Sequence, residues 1–161
     1  MTIKVGDHIP EAMLTKVTES GPAAISTADF FGGRTVALFS VTGAFTPTCS
    51  AKHLPGFVGN ADAFKAHGVD EIACLSVNDA FVMAAWGKSA SAGEAVTMLA
   101  DGSAAFTTAL GLTMDASKFG MGIRGQRFSM LVKDGVVTRL NVEDPGAFSV
   151  SSAEYLMAQL G

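Results

Sequence analysis

The chain has 161 residues, of which 48% are hydrophobic and only 16% charged, and it carries a net charge of −4 at neutral pH. Lys and Arg are scattered, so no basic patch offers a footprint for nucleic acid, and no apolar run reaches the ~18 residues of a membrane span. The length suits one domain over residues 1–161, and residues 1–7 lead into no apolar run of signal-peptide length, so the cytosol is the expected location.

Residues 1–33 are rich in Gly and Pro and predict turns around a short hairpin. The run Thr35–Val41 is continuous, apolar and β-prone, the pattern of a strand buried on both faces. A helical stretch is expected from Pro47 to His67, kinked at Pro55-Gly56. Glu71–Val77 predicts a second buried strand. Asp79–Ser89 predicts a helix capped by Asn78 or Asp79, with Phe81, Val82, Ala85 and Trp86 at helical spacing. Val96–Ala100 predicts a third strand, and Ala104–Leu110 a short helix stopped by Gly111. Residues 113–122 are expected to be a loop. Phe128–Lys133 and Val136–Val142 form a hairpin about Asp134-Gly135, and Ser151 or Ser152 caps a last helix to Leu160. The early strand–helix–strand units imply parallel pairing and the late hairpin an antiparallel addition. The expected class is α/β, a mixed central sheet flanked by helices, and a thioredoxin-like arrangement fits that order.

Two cysteines, Cys49 and Cys74, stand 74 − 49 = 25 residues apart, and there is no CxxC. That is too few for a disulfide scaffold, and it argues against a disulfide oxidoreductase. His8, His53 and His67 are not spaced with the cysteines as zinc ligands would be, so neither metal nor cofactor is implied. The informative segment is Thr46-Pro47-Thr48-Cys49. Thr46 suits an N-cap, and Pro47 suits the first helical position, where its missing N–H costs little. Cys49 then falls third in the helix, where a capping box would place a carboxylate. A thiolate there gains from free N–H groups and the positive helix end, which lowers a cysteine pKa and activates the sulfur. The competing reading is a small apolar residue packed in a first turn. The Thr46 hydroxyl is one turn away and could steer an incoming oxygen.

The segment Gly43-Ala44-Phe45-Thr46-Pro47-Thr48-Cys49-Ser50, followed by His53-Leu54-Pro55-Gly56-Phe57, resembles the active-site segment of the peroxiredoxin-5-like, or type II, peroxiredoxins. The likeness runs on through Leu75–Asp79, Met98–Gly102, Met121–Arg124, Arg127-Phe128, Val132–Val137 and Asn141–Gly146, and so covers nearly the whole chain. The resemblance implies a thioredoxin fold, a dimer and a thiol-dependent peroxidase acting on hydrogen peroxide and alkyl hydroperoxides. It matches Cys49 to the peroxidatic cysteine, Thr46 to the active-site threonine and Arg124 to the active-site arginine. Gly43 joins Thr46, Cys49 and Arg124 as a substrate-binding position. Arg127 is read as structural or as a supporting partner, and His53 as a packing or hydrogen-bonding residue rather than a base.

Three positions depart from the family pattern. Thr42 replaces the proline found seven residues before the family cysteine, which puts loop rigidity and rate in question. Ala80 and Gly125 stand where proline and serine are common. Cys74 is a buried core thiol or a resolving cysteine that attacks the Cys49 sulfenic acid. Plant members of the family with this spacing favour resolution, whereas strand-to-helix geometry opposes it. If Cys74 does not resolve, glutaredoxin with glutathione, or thioredoxin, is the expected reductant. A non-enzymatic peroxide sensor on the same fold is the alternative function. Trp86 and Phe119 suit either core packing or the dimer surface, and the low charge fraction is consistent with a buried subunit face.

Overall fold

A computed structural model describes residues 2–160. The apolar runs at Thr35–Ser40 (β3), Glu71–Ser76 (β4) and Thr97–Ala100 (β5) pair in parallel as the centre of the sheet, in the order β5-β4-β3. Such strands are covered on both faces, which explains their continuous hydrophobicity. The N-terminal hairpin, Met13–Thr18 (β1) and Gly21–Ser26 (β2), adds antiparallel to β5. The C-terminal hairpin, Phe128–Lys133 (β8) and Val136–Val142 (β9), adds antiparallel to β3. Its turn has Asp134 and Gly135 both at positive φ, 47° and 76°, as a two-residue turn matched to strand twist requires. The full order is β2-β1-β5-β4-β3-β8-β9, a mixed sheet flanked by helices.

Strand alternation sorts the core onto two faces. Ala37, Phe39 and Cys74 point to one face and meet Phe57, Phe64 and Trp86. Val36, Leu38 and Leu75 point to the other and meet Phe30, Phe31 and Phe106. The two phenylalanines at Phe30 and Phe31 belong to a short helix, Thr27–Phe31 (α1), that sequence patterning does not foresee. Ser26 caps it by accepting the Asp29 N–H at 3.1 Å. The expected long helix is divided into a π-helical turn, Cys49–His53, followed by Leu54–Gly59 (α2) and Ala61–Ala66 (α3). Pro55 has no N–H to donate to Ala51, and the turn before it widens rather than kinks.

Ala80–Ser89 (α4) is capped by Asp79, as expected, but turns a different face inward. Met83, Trp86 and Gly87 are buried while Phe81 is 75% exposed. Ala105–Leu110 (α5) ends at Gly111 in the left-handed region, and Ser152 caps Ala153–Ala158 (α6). Residues 113–122 depart from the expected loop. Thr113–Asp115 (β6) and Ile123–Gly125 (β7) pair as a two-stranded arm around a 3₁₀ turn at Ser117–Phe119.

Two features of this architecture place the site. The chain leaves β3 at Ser40 and reaches Pro47 through a tight loop at the C-terminal end of the parallel strands. The β3–β8 register pairs Ser40 with Phe128, so Arg127 emerges beside Val41 and next to that loop.

Candidate active site

The helix opens at Pro47, and the Thr46 carbonyl accepts the Ser50 N–H at 2.9 Å, so Thr46 is the N-cap residue by backbone. Its side chain does not cap. The hydroxyl instead donates to the Gly43 carbonyl at 2.7 Å and closes the 43–46 loop on itself. The same loop is tied down by Asn78, whose Oδ1 accepts the Ala44 N–H at 3.0 Å. Phe45 holds a φ of 65°, a costly conformation for a bulky residue that the surrounding bonds must maintain. Gly43 sits at a close approach: a Cβ there would stand 3.2 Å from both Met121 Cε and Thr46 Cγ2, so those side chains would have to give way slightly. Behind the helix, Trp86 is buried and its indole N–H donates to Ser50 Oγ at 3.0 Å, so this tryptophan supports the active helix from the core.

Cys49 has no exposed surface, yet its sulfur is surrounded by donors. Arg127 Nη2 donates to Sγ at 3.0 Å. Burial alone would raise the thiol pKa. The Thr46 hydroxyl, the Arg127 charge and the Gly43 N–H act against it and hold Cys49 below the usual thiol value. Thr42, the departure from the family proline, places its hydroxyl 3.8 Å from the same sulfur and contributes a polar wall where a proline ring would offer none.

The arginine that the structure sets against the sulfur is Arg127 rather than Arg124. Arg124 lies in β7 and is spent on carbonyls: Nε donates to Met121 O at 2.9 Å and Nη1 to Val77 O at 3.0 Å. It braces the loop beside Gly43 and makes no hydrogen bond to Cys49. Arg127, read from sequence as structural or supporting, is the guanidinium on the sulfur. Only Gly125 and Gln126 separate the two, but β7 belongs to the small arm and Arg127 to the entry of β8 in the main sheet. A register between β3 and β8 would have distinguished them, and spacing along the chain does not supply one.

His53, one turn on, is fully buried and is not positioned as a base for the sulfur. Its Nδ1 accepts from Arg127 Nη1 at 2.9 Å, and because Arg has no acceptor, Nε2 must carry the proton and donate to the Ser151 carbonyl at 2.9 Å. Burial first, and then the Arg127 charge, depress its pKa to about 3, so the imidazole stays neutral. Cys74 sits on β4 between Phe39 and Met98, on the same core face as Cys49, with no exposed surface. Burial, followed by the neighbouring Cys49, pushes its thiol well above the ordinary value, so it stays protonated and poorly nucleophilic. Both cysteines are free thiols. From the Cys49 side a cleft of about 700 Å³ leads outward, lined by Thr42, Thr48, Met121, Arg127 and Pro145 among others.

A cysteine at a helix start on a thioredoxin-like sheet, with an arginine on its sulfur and no second cysteine in the same turn, defines a redoxin. The Redoxin family profile matches residues 4–157. Rice chloroplastic peroxiredoxin-2E-2 is 49% identical over 99% of this chain and 73% of its own length. Arabidopsis peroxiredoxin-2D is 46% identical over 98% of each chain. The crystal structure of reduced Prx3 from Vibrio vulnificus in complex with H2O2 superposes with a TM-score of 0.96 at 52% identity, covering 99% of this chain and 100% of that one. The chain belongs to the type II peroxiredoxins and is a thiol-dependent peroxidase.

The two arginines should separate in a titration. The pH midpoint of Cys49 alkylation, followed by mass spectrometry, should lie below the usual thiol range and move upward in Arg127→Gln. Arg124→Gln should leave it close to the parent value. His53 makes a second prediction. In the unfolded chain it takes up a proton near pH 6.5, whereas in the folded protein it does so only near 3. Between those values the unfolded state binds more protons, so stability is complete above about 6.5 and falls as pH drops, on the order of 1.4 kcal/mol per pH unit. Urea unfolding at pH 7 and pH 5 should register this loss in the parent and not in His53→Gln.

Proposed function

We propose that Cys49 is the peroxidatic sulfur, that Arg127 is its charge partner, and that Thr46 and the Gly43 N–H complete the peroxide site. The contact that carries the reading is the 3.0 Å hydrogen bond from Arg127 Nη2 to Cys49 Sγ. The thiolate attacks the terminal oxygen of the peroxide, the O–O bond breaks, and sulfur retains that oxygen as a sulfenic acid. Hydroxide, or alkoxide from an alkyl hydroperoxide, departs with the bond electrons and takes a proton from water. Negative charge spreads over sulfur and two oxygens as this happens. Arg127 and the Gly43 N–H are donors held ready for it, and one such donor commonly accounts for about 10²–10³ in rate.

We assign reduction of the sulfenic acid to an external thiol, glutaredoxin with glutathione or thioredoxin, rather than to Cys74. A fully buried, protonated thiol in the middle of a sheet supports that assignment, since the first helical turn would have to open before two sulfurs could bond. A cytosolic setting, where such reductants are abundant, suits this cycle. We further propose a homodimer. Phe81, Phe119, Phe45 and Ile123 are 75%, 68%, 53% and 51% exposed, an unusual outlay of large apolar side chains for an isolated subunit.

Cys49→Ser should abolish peroxide turnover with a glutaredoxin or thioredoxin system, read as loss of NADPH consumption, while Cys74→Ala should retain most of it. Turnover by Cys49→Ser would sink the assignment, and loss of turnover in a folded Cys74→Ala would return resolution to Cys74. Phe81→Asp should shift the sedimentation coefficient from dimer to monomer.

A further inference from the structure

We propose that Glu143 is a positioning residue for Arg127, acting through the Ser151 carbonyl and His53. The inference rests on the reading of Arg127 as the partner of Cys49.

Glu143 follows the last residue of β9 and is nearly buried, at 6% exposure. Its Oε2 accepts three consecutive backbone N–H groups, from Ser149, Val150 and Ser151, each at 2.8 Å, and the Ser151 hydroxyl at 2.7 Å. Burial opposes the charge, and these donors prevail, so the carboxyl group is held below its usual range. The segment leading into α6 has no regular secondary structure of its own, and its conformation is organised around this one oxygen.

The consequence is directional. With its N–H and hydroxyl both held by Glu143, Ser151 aims its carbonyl at His53 Nε2, 2.9 Å away. That carbonyl requires the proton to be on Nε2, and the lone pair is left on Nδ1. Phe39, Phe57 and Phe148 wall the ring at centroid distances of 4.9, 5.7 and 5.1 Å, so the imidazole has little room to turn. Nδ1 takes Arg127 Nη1, and the planar guanidinium then has Nη2 on the sulfur. The backbone closes the circuit, because the Glu143 N–H donates to the Arg127 carbonyl at 3.0 Å.

Arg127 needs this guidance because Asp115 and Asp144 line the same cleft. A guanidinium released from His53 has carboxylates within its surroundings that would compete with sulfur. Glu143 touches no reacting atom, and it acts by removing that choice.

The test turns on a sign. Removing a negative charge near Cys49 would, by relief of Coulomb repulsion alone, ease thiolate formation and move the midpoint of Cys49 alkylation down. Loss of the relay moves it up, because Arg127 leaves the sulfur. For Glu143→Gln in the full-length protein we expect an upward shift of about half a unit to one unit and a fall in kcat/KM for hydrogen peroxide of about tenfold. In the Arg127→Gln background the same substitution should add no further upward shift, since there is no guanidinium left to position. A midpoint that stays put or falls, or an upward shift that persists without Arg127, overturns the proposal. If Glu143→Gln fails to fold, the same cycle run with His53→Asn and His53→Leu decides the matter. Asn retains an acceptor near Nδ1 and should stay closer to the parent than Leu, and equal shifts for the two would overturn the relay. Alkylation needs no turnover, so failure of the relay is distinct from failure of Cys49 as the peroxidatic residue, which Cys49→Ser reports.

Discussion

Holding an anion on a sulfur with no exposed surface is the constraint from which most of this structure follows. Water would normally stabilise a thiolate, and at Cys49 it is replaced by fixed donors. The fixed donors are the Arg127 guanidinium and the Gly43 N–H, and the Thr46 hydroxyl, bonded to the Gly43 carbonyl, holds the loop that presents the second of them. Each comes from a different part of the chain. The β3–β8 register delivers Arg127 and the tied loop after β3 delivers Gly43 and Thr46. The start of the helix delivers Cys49 itself. Preorganised donors are effective because they do not have to move when charge shifts from sulfur toward oxygen.

The same constraint explains the local irregularities. Phe45 at positive φ, the closely packed glycine at 43, and the π-helical turn at Cys49–His53 are all unfavourable taken singly. They cluster within eleven residues of sequence, between positions 43 and 53. The π turn is the least dispensable of them, because Arg127 bonds both Cys49 and His53, and that turn carries both.

Much of this was legible in the residues themselves. The central strands, both hairpins, the caps at Asp79 and Ser152, the stop at Gly111 and the helix start at Pro47 are encoded locally, by runs of apolar side chains and by residues with narrow backbone preferences. Cys49 was legible for the same reason, since its position at the helix start is a matter of counting from Thr46. The choice between Arg124 and Arg127 was not. It depends on which strand pairs with β3 and in what register, a long-range fact with no local signature. The small arm at Thr113–Gly125 escaped likewise, its strands being three residues each and half-exposed. Glu143 gave no sign at all, because its partners lie in a segment that has no pattern to read.

The sealed thiol on β4 has a practical side. Of the two thiols in the chain, one is lowered in pKa and lies behind the Thr42, Thr48 and Arg127 wall of a cleft, and the other is raised and enclosed in the sheet. Reagents and oxidants that act on thiolates therefore address a single channel. With a thiolate-selective alkylating reagent, the label count on the intact protein becomes a direct ledger of the state of Cys49.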